Sequence, residues 1–236
     1  MVRIKNRILG IPEGKLGNVV YRTMNGKTFA SSRPVNYNSS HSPKAKLNRN
    51  RFGIAIEFAK YVNSIPTLKN IWKSAKIKGT TSFNRIVKYN SKYIGEKSPT
   101  KNNIITPYEN VPSKNLFSFH YQSLNFSKEA EMIKIVLPNK SDVFEYNLNY
   151  DLAFVFMLSE PKRKSDKYFV LEHLVMTFNI NEYLDDINID LDNSFLLKLN
   201  KYKKIVIYFS TSREVGGRLK YIWSNTVAME FNLTES

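Results

Sequence analysis

Apolar and polar positions follow two different rhythms along this chain, and the change falls near its middle. From Ser42 to about residue 95 the apolar residues recur every three or four positions, as one face of a helix requires. From Leu116 onward they alternate singly or run together, as strands do. Ahead of the helical stretch stands one strong hairpin signal. Val19–Met24 and Lys27–Ser32 read as strands joined by Asn25-Gly26, a pair that supplies the positive φ of a type I′ turn. A two-residue loop sets Met24 opposite Lys27, Arg22 opposite Phe29 and Tyr21 opposite Ala30, so Arg22 and Lys27 share a face. Pro34 ends the pairing.

Three helices are expected next. Ser42 followed by Pro43 opens the first, which runs to about Val62 with Leu47, Ile54, Phe58 and Val62 on its apolar stripe. Ser64 or Thr67 opens the second, closed by Gly79, with Leu68, Ile71, Trp72 and Ala75 apolar. Trp72 is expected in the core. Thr81 or Ser82 opens the third, closed by Gly95, with Phe83, Ile86, Val87 and Ile94 apolar.

The second half predicts strands. Leu116 to Phe126 alternates, as do Ile133, Ile135 and Leu137 with the residues between them. "DLAFVFML", from Asp151 to Leu158, is a continuous apolar run, the mark of a strand buried on both faces or of a sandwich core. "LVMTFNI", "KIVIYFS" and "RLKYIWSNTVAMEF" follow, the last two joined through Gly216-Gly217. About seven strands in roughly 110 residues predict an antiparallel sandwich of immunoglobulin type. Between the halves, "EKSPTKNNIITPYENVPSKN" carries Pro99, Pro107 and Pro112 among Ser, Asn and Thr, which is linker chemistry. The expected class is therefore α+β: a hairpin-and-helix domain over 1–95, a linker over 96–115 and an immunoglobulin-like β-sandwich over 116–236.

Charge adds a direction. The chain has 236 residues and a net charge of +16. Residues 1–110 hold 21 Lys and Arg against four Glu, and residues 111–236 hold 15 against 16 acids. Solubility alone does not require that the excess sit in one half, so an anionic partner is expected. The candidate phosphate-contacting residues are Arg22, Lys27 and Arg33 on and after the hairpin, and Lys44, Lys46, Arg49 and Arg51 in the first turns of the first helix. Lys69, Lys73 and Lys76 form a basic stripe on the second helix, and Arg85, Lys88 and Lys92 on the third. Cations at a helix N-terminus oppose the macrodipole by roughly some tenths of a kcal/mol each, a cost that an external anion offsets. Tyr21, Tyr89 and Tyr93, each near cations, are candidate stacking residues.

Catalytic chemistry leaves little trace. No cysteine is present, and His41, His120 and His173 are not at metal-ligand spacing with one another. "GKLG" lacks the Gly-Lys-Ser/Thr ending of a phosphate loop. No cofactor and no metal are expected, and an enzyme is disfavoured. "LDDINIDLDN" places Asp186, Asn188, Asp190 and Asp192 on alternate positions, which suits an edge strand protected by charge. The same acidic face could dock the basic half of a neighbouring copy. The start, "MVRIKNRILGIPEGK", has no apolar run of signal-peptide length, and no stretch approaches the roughly 18 apolar residues of a membrane span. A cytoplasmic protein without membrane association is expected.

"KLGNVVYRTMNGKTFASSRP", "SPKAKLNRNRF" and "YIWSNTVAMEF" together resemble a family of uncharacterised bacterial proteins of Bacteroidota type. The matching positions are Gly17, Asn18, Gly26, Arg33, Pro34, Ser42, Arg49, Phe52, Ser224, Asn225 and Thr226. Where family members often have Gln, this chain has Ala45. The resemblance implies a Gly-rich hairpin followed by a β-sandwich and assigns no activity. Two functions are thus expected in order. The first is a non-enzymatic protein that binds the phosphate backbone of DNA or RNA without base specificity. The second is a structural protein of a phage-like particle or filament, its basic half docked on an acidic neighbour.

Overall fold

In a computed structural model the chain is described at residues 2–3, 14–24, 26–32, 40–75, 77, 81–107, 123–127, 130–136, 149–179, 186–215 and 221–233. It divides into two compact units, Met1–Lys46 and Leu47–Ser236. The class is mixed α+β with antiparallel sheets.

In the first unit, β1 (Val2–Arg3), β2 (Gly14–Leu16), β3 (Val19–Met24) and β4 (Lys27–Ser32) form one sheet in the order β1-β4-β3-β2. β3 and β4 pair in the predicted register, with Met24 opposite Lys27, Arg22 opposite Phe29 and Tyr21 opposite Ala30. Gly26 sits at φ +71°, a conformation that only glycine adopts without cost. Asn25, Arg33 and Pro34 lie outside the described residues.

The first helix, α1 (Pro43–Ser64), starts where the sequence predicts. Ser42 Oγ accepts from the Ala45 N–H at 3.2 Å, and Pro43 occupies the first helical position, where no N–H is needed. Its stripe Ile54, Phe58 and Val62 is buried, together with Ala55 and Ala59. The second helix, α2 (Pro66–Ser74), has a different start from the one expected. Its N-cap is Ile65, with Pro66 entering the first turn and no side-chain cap, while Ser64 Oγ donates to Tyr61 O at 2.6 Å. The helix ends at Ser74 with Ala75 as its C-cap, and Gly79 lies outside the described residues. The third, α3 (Ser82–Asn90), is capped by Thr81, whose Oγ1 accepts from the Asn84 N–H. A 3-10 turn, Ser91–Tyr93, follows.

The β half builds two sheets from β5 (Ser123–Ser127), β6 (Met132–Val136), β7 (Asn149–Pro161), β8 (Phe169–Asn179), β9 (Asp186–Asp190), β10 (Tyr202–Glu214), β11 (Tyr221–Trp223) and β12 (Val227–Asn232). The larger sheet runs β11-β10-β7-β8, with β12 also on β10, and the smaller runs β5-β6-β9. A fourth helix, α4 (Asn193–Leu199), joins β9 to β10.

Alternate residues of β7 and β10 feed two different cores. Ala153, Val155, Met157, Val206 and Tyr208 pack with α1, α2 and α3. Leu152, Phe154, Phe156, Leu158, Ile205, Ile207 and Phe209 pack with the small sheet and α4. The continuous apolar run of β7 thus marks burial on both faces. The expected α+β class is found, whereas the immunoglobulin-type arrangement is not confirmed. A sandwich of immunoglobulin type buries one face of each sheet, whereas here the larger sheet carries a helical layer on its other face.

Within the segment expected as a linker, residues 103–107 are packed, while Glu96, Lys97, Lys101 and Asn102 are exposed. Ile104, Ile105, Thr106 and Pro107 are buried. Trp72 Nε1 donates to Ile105 O at 2.8 Å, and Trp223 Nε1 to Pro107 O at 2.7 Å. Thr226 Oγ1 accepts from the N–H groups of Ile105 and Thr106 at 3.0 and 2.9 Å. Asn90 and Asn103, both buried, satisfy one another and the neighbouring backbone. The compact units divide at Lys46/Leu47 rather than across 96–115, because the helices cannot bury their apolar faces without the sheet.

Candidate nucleic-acid interface

Eight of the predicted cations are exposed. Arg22 and Lys27 are exposed on the hairpin, and their cross-strand neighbours are Phe29 and Met24. Lys44, Lys46 and Arg49 are exposed along the first turns of α1, a helix with no acidic residue in its first turn. Lys73, Lys88 and Lys92 are exposed on α2, α3 and the 3-10 turn. The hairpin pair belongs to the first unit and Lys73, Lys88 and Lys92 to the second.

Other candidates are drawn inward. Lys69 is half-buried. Arg51 is half-buried, and its Nε has no hydrogen-bond partner among the described residues. Arg85 has a different task from the one assigned to it. Its Nη1 donates to the carbonyl oxygens of Trp72, Lys73 and Ala75 at 2.7, 3.1 and 2.9 Å. Those carbonyls lie at the C-terminal end of α2, where helical acceptors are left over and the dipole is negative. Arg85 is therefore a capping arginine, and the expected stripe reduces to Lys88 on α3 and Lys92 on the 3-10 turn. Arg33 and Lys76 lie outside the described residues.

The stacking candidates are similarly sorted. Tyr89 packs against Trp72 with centroids 6.0 Å apart, and Lys88 Nζ lies 5.7 Å from its ring. Tyr93 is half-buried beneath Lys92, at 4.5 Å. Trp72 is fully buried, as expected. Tyr93 also borders a cleft of about 500 Å³ with Lys101, Asn102, Asn225 and Thr226. The Thr226 hydroxyl there is already spent on the Ile105–Thr106 backbone.

No family model, no curated protein and no solved structure matches this chain. Function is therefore inferred from the chain's own side chains. Among the described residues no group of three or more His, Asp or Glu stands together as a metal site needs. His41 is exposed, His120 lies outside the described residues, and His173 Nδ1 sits 3.0 Å from the Tyr61 hydroxyl. Burial, with the Glu172 charge added, pushes the Tyr61 phenol up. No helix is long and apolar enough to cross a membrane.

The acidic alternation on β9 occupies an edge of its sheet among the described strands, as an edge protected by charge would. Two of its three aspartates have internal partners. Asp186 is ion-paired with Lys134. Asp192 caps α4, accepting from the Phe195 N–H at 2.6 Å and the Ser194 hydroxyl at 2.9 Å. Those two hydrogen bonds, the backbone one first, hold its carboxyl below the usual range. Asp190 is exposed.

The second half also carries a local basic group. Lys162, Arg163, Lys164, Lys167, Lys201 and Lys203 are all exposed in the half that is acidic on average. "KRK" beside "NKYKK" is the signal that a local count would have found.

Proposed function

We propose that this chain is a non-enzymatic, nucleic-acid-associated protein that holds phosphate backbone through its basic N-terminal half, without base specificity. The observation that carries this reading is the exposure of Arg22, Lys27, Lys44, Lys46, Arg49, Lys73, Lys88 and Lys92, in a half with 21 cations and four acids. A face that needed only solubility would mix both signs. Phosphate contacts by Lys and Arg fix position and carry no sequence information, which suits a surface without a recognisable base-reading element. The resemblance to the Bacteroidota-type family belongs to this proposal and adds no activity to it.

Salt dependence tests the reading. Counterion release predicts a log–log slope near −0.9 per neutralised phosphate on duplex DNA, so about six contacts give roughly −5. Replacing Arg22 and Lys27 by Gln removes about two contacts, and replacing Lys73, Lys88 and Lys92 by Gln removes up to about three, with sequence preference unchanged. Anisotropy titrations that show no binding to DNA or RNA in low salt, or binding indifferent to salt, overturn it. The assembly reading then takes its place, with Asp190 as the exposed member of the acidic face. Asp190→Asn would be expected to shrink any oligomer seen by light scattering.

A further inference from the structure

The tip of the β7–β8 hairpin carries two clefts, lined in turn by the consecutive residues Asp166 and Lys167. One, about 310 Å³, is lined by Lys162, Arg163, Asp166, Asn200 and Lys201. The other, about 460 Å³, is lined by Asn50, Glu57, Lys97, Lys167 and Tyr168, with Ile54 and Phe169 at its base. Five cations thus face two acids. Tyr168 is unusual for its size, with 38% of its surface exposed and Lys97 Nζ 5.2 Å from the ring centroid.

The segments that carry these residues are tied by hydrogen bonds, two between backbone groups and two from side chains to backbone. The Lys162 N–H donates to Lys201 O at 2.8 Å and joins the hairpin tip to the turn after α4. The Tyr202 hydroxyl donates to Lys167 O at 3.2 Å, and the Glu160 N–H to Tyr168 O at 3.2 Å. Glu160 sits at φ +60°, a left-handed conformation for a residue with a side chain, which persists only where its surroundings fix the loop. Asn50 Nδ2 donates to Glu96 O at 2.7 Å and so ties the segment bearing Lys97 to α1.

We infer that the two clefts form a track for single-stranded nucleic acid, with phosphates on Lys162, Arg163, Lys167 and Lys201 and a base stacked on Tyr168. The inference rests on the reading of the protein as a nucleic-acid binder, and it adds the strand type and a site in the other half of the chain. Cations flanking an exposed ring are the two ingredients of single-strand binding: an electrostatic groove and a stacking platform. A duplex keeps its base faces within the helix and gives the ring nothing to stack on. An acidic peptide would satisfy the lysines and leave Tyr168 without a role.

The probe is a fluorescein-labelled oligothymidylate of about 15 nucleotides, beside a duplex of the same length. Tyr168→Ala should weaken the single strand by roughly five- to a hundred-fold and leave the duplex unchanged, while Tyr168→Phe retains binding. Arg163→Gln with Lys201→Gln should flatten the single-strand salt slope by about 1.4, two contacts at roughly 0.7 each. Photo-crosslinking of the wild type to an iodouracil-substituted strand should map to Tyr168, a readout that does not depend on a variant folding. Unchanged affinity in both variants, with Arg22→Gln and Lys27→Gln still weakening binding, overturns the track and leaves the proposed function standing. No binding to any nucleic acid overturns both. Retention on polyglutamate with loss in the Arg163 and Lys201 variants would then assign the surface to an acidic polypeptide.

Discussion

Arg85 and Lys88 stand three residues apart on one helix and do opposite things. The Arg85 guanidinium takes up three carbonyls at the end of α2, whereas the Lys88 ammonium faces solvent. Arg85→Gln should therefore cost stability, about 1.5–3 kcal/mol in urea unfolding, because carbonyls lose a charged donor. It should leave the salt slope of nucleic-acid binding alone. Lys88→Gln with Lys92→Gln should do the reverse. Asp192 provides a pH test of the same kind. Its carboxyl is held low by the Phe195 N–H and Ser194 hydroxyl, so the cap contributes above the unfolded value of about 3.9 and is lost as pH falls through the folded one. Thermal melts of wild type and Asp192→Ala should differ at neutral pH and converge in acid.

At the scale of elements, the connector over 103–107 is the joint between helices and sheet. Thr226 Oγ1 receives two backbone N–H groups there, and Thr226→Val would leave both without an acceptor in a buried place. The expected loss is about 1–3 kcal/mol in chemical denaturation. Ser224, from the same "SNT" triplet, accepts from the Thr211 N–H at 2.9 Å. The triplet thus fastens the turn between β11 and β12 to the connector and to β10. Limited proteolysis should spare 103–107, whose backbone is hydrogen-bonded and buried, and a first cut inside it would contradict that packing.

At the scale of the whole molecule, the larger sheet needs both of its covers. A fragment beginning near residue 111 would lose α1, α2 and α3 and bare Val155, Met157, Val206 and Tyr208. Each such side chain contributes roughly 1.5–3 kcal/mol by burial, so the fragment should fail to fold cooperatively and should bind a hydrophobic dye. Sharp, cooperative unfolding of that fragment would show that the sheet stands without its helical layer. Charge is likewise a property of the whole. Cations on the hairpin, on α1 and at the β7–β8 tip belong to distant stretches of sequence, and only a salt titration of the full chain reports their combined contribution.

What the sequence determined by itself is what depends on neighbours in the chain. The β3–β4 register followed from a two-residue turn at Asn25-Gly26, the starts of α1 and α3 from Ser42-Pro43 and Thr81, and the burial of Trp72 from its helical stripe. These are local, because a cap or turn satisfies groups within a few residues of itself. α4 has no periodic signature, because seven residues make barely two turns, and its one local mark is the cap residue Asp192 ahead of Asn193. Only the tertiary structure decided that β7 is covered on both faces, since an apolar run does not state what covers it. It alone gave Arg85 to the carbonyls of α2, ten to thirteen residues earlier, and brought Lys97, Tyr168 and Lys201 to one edge. Those meetings come from how strands and helices pack, and no spacing in the chain records them.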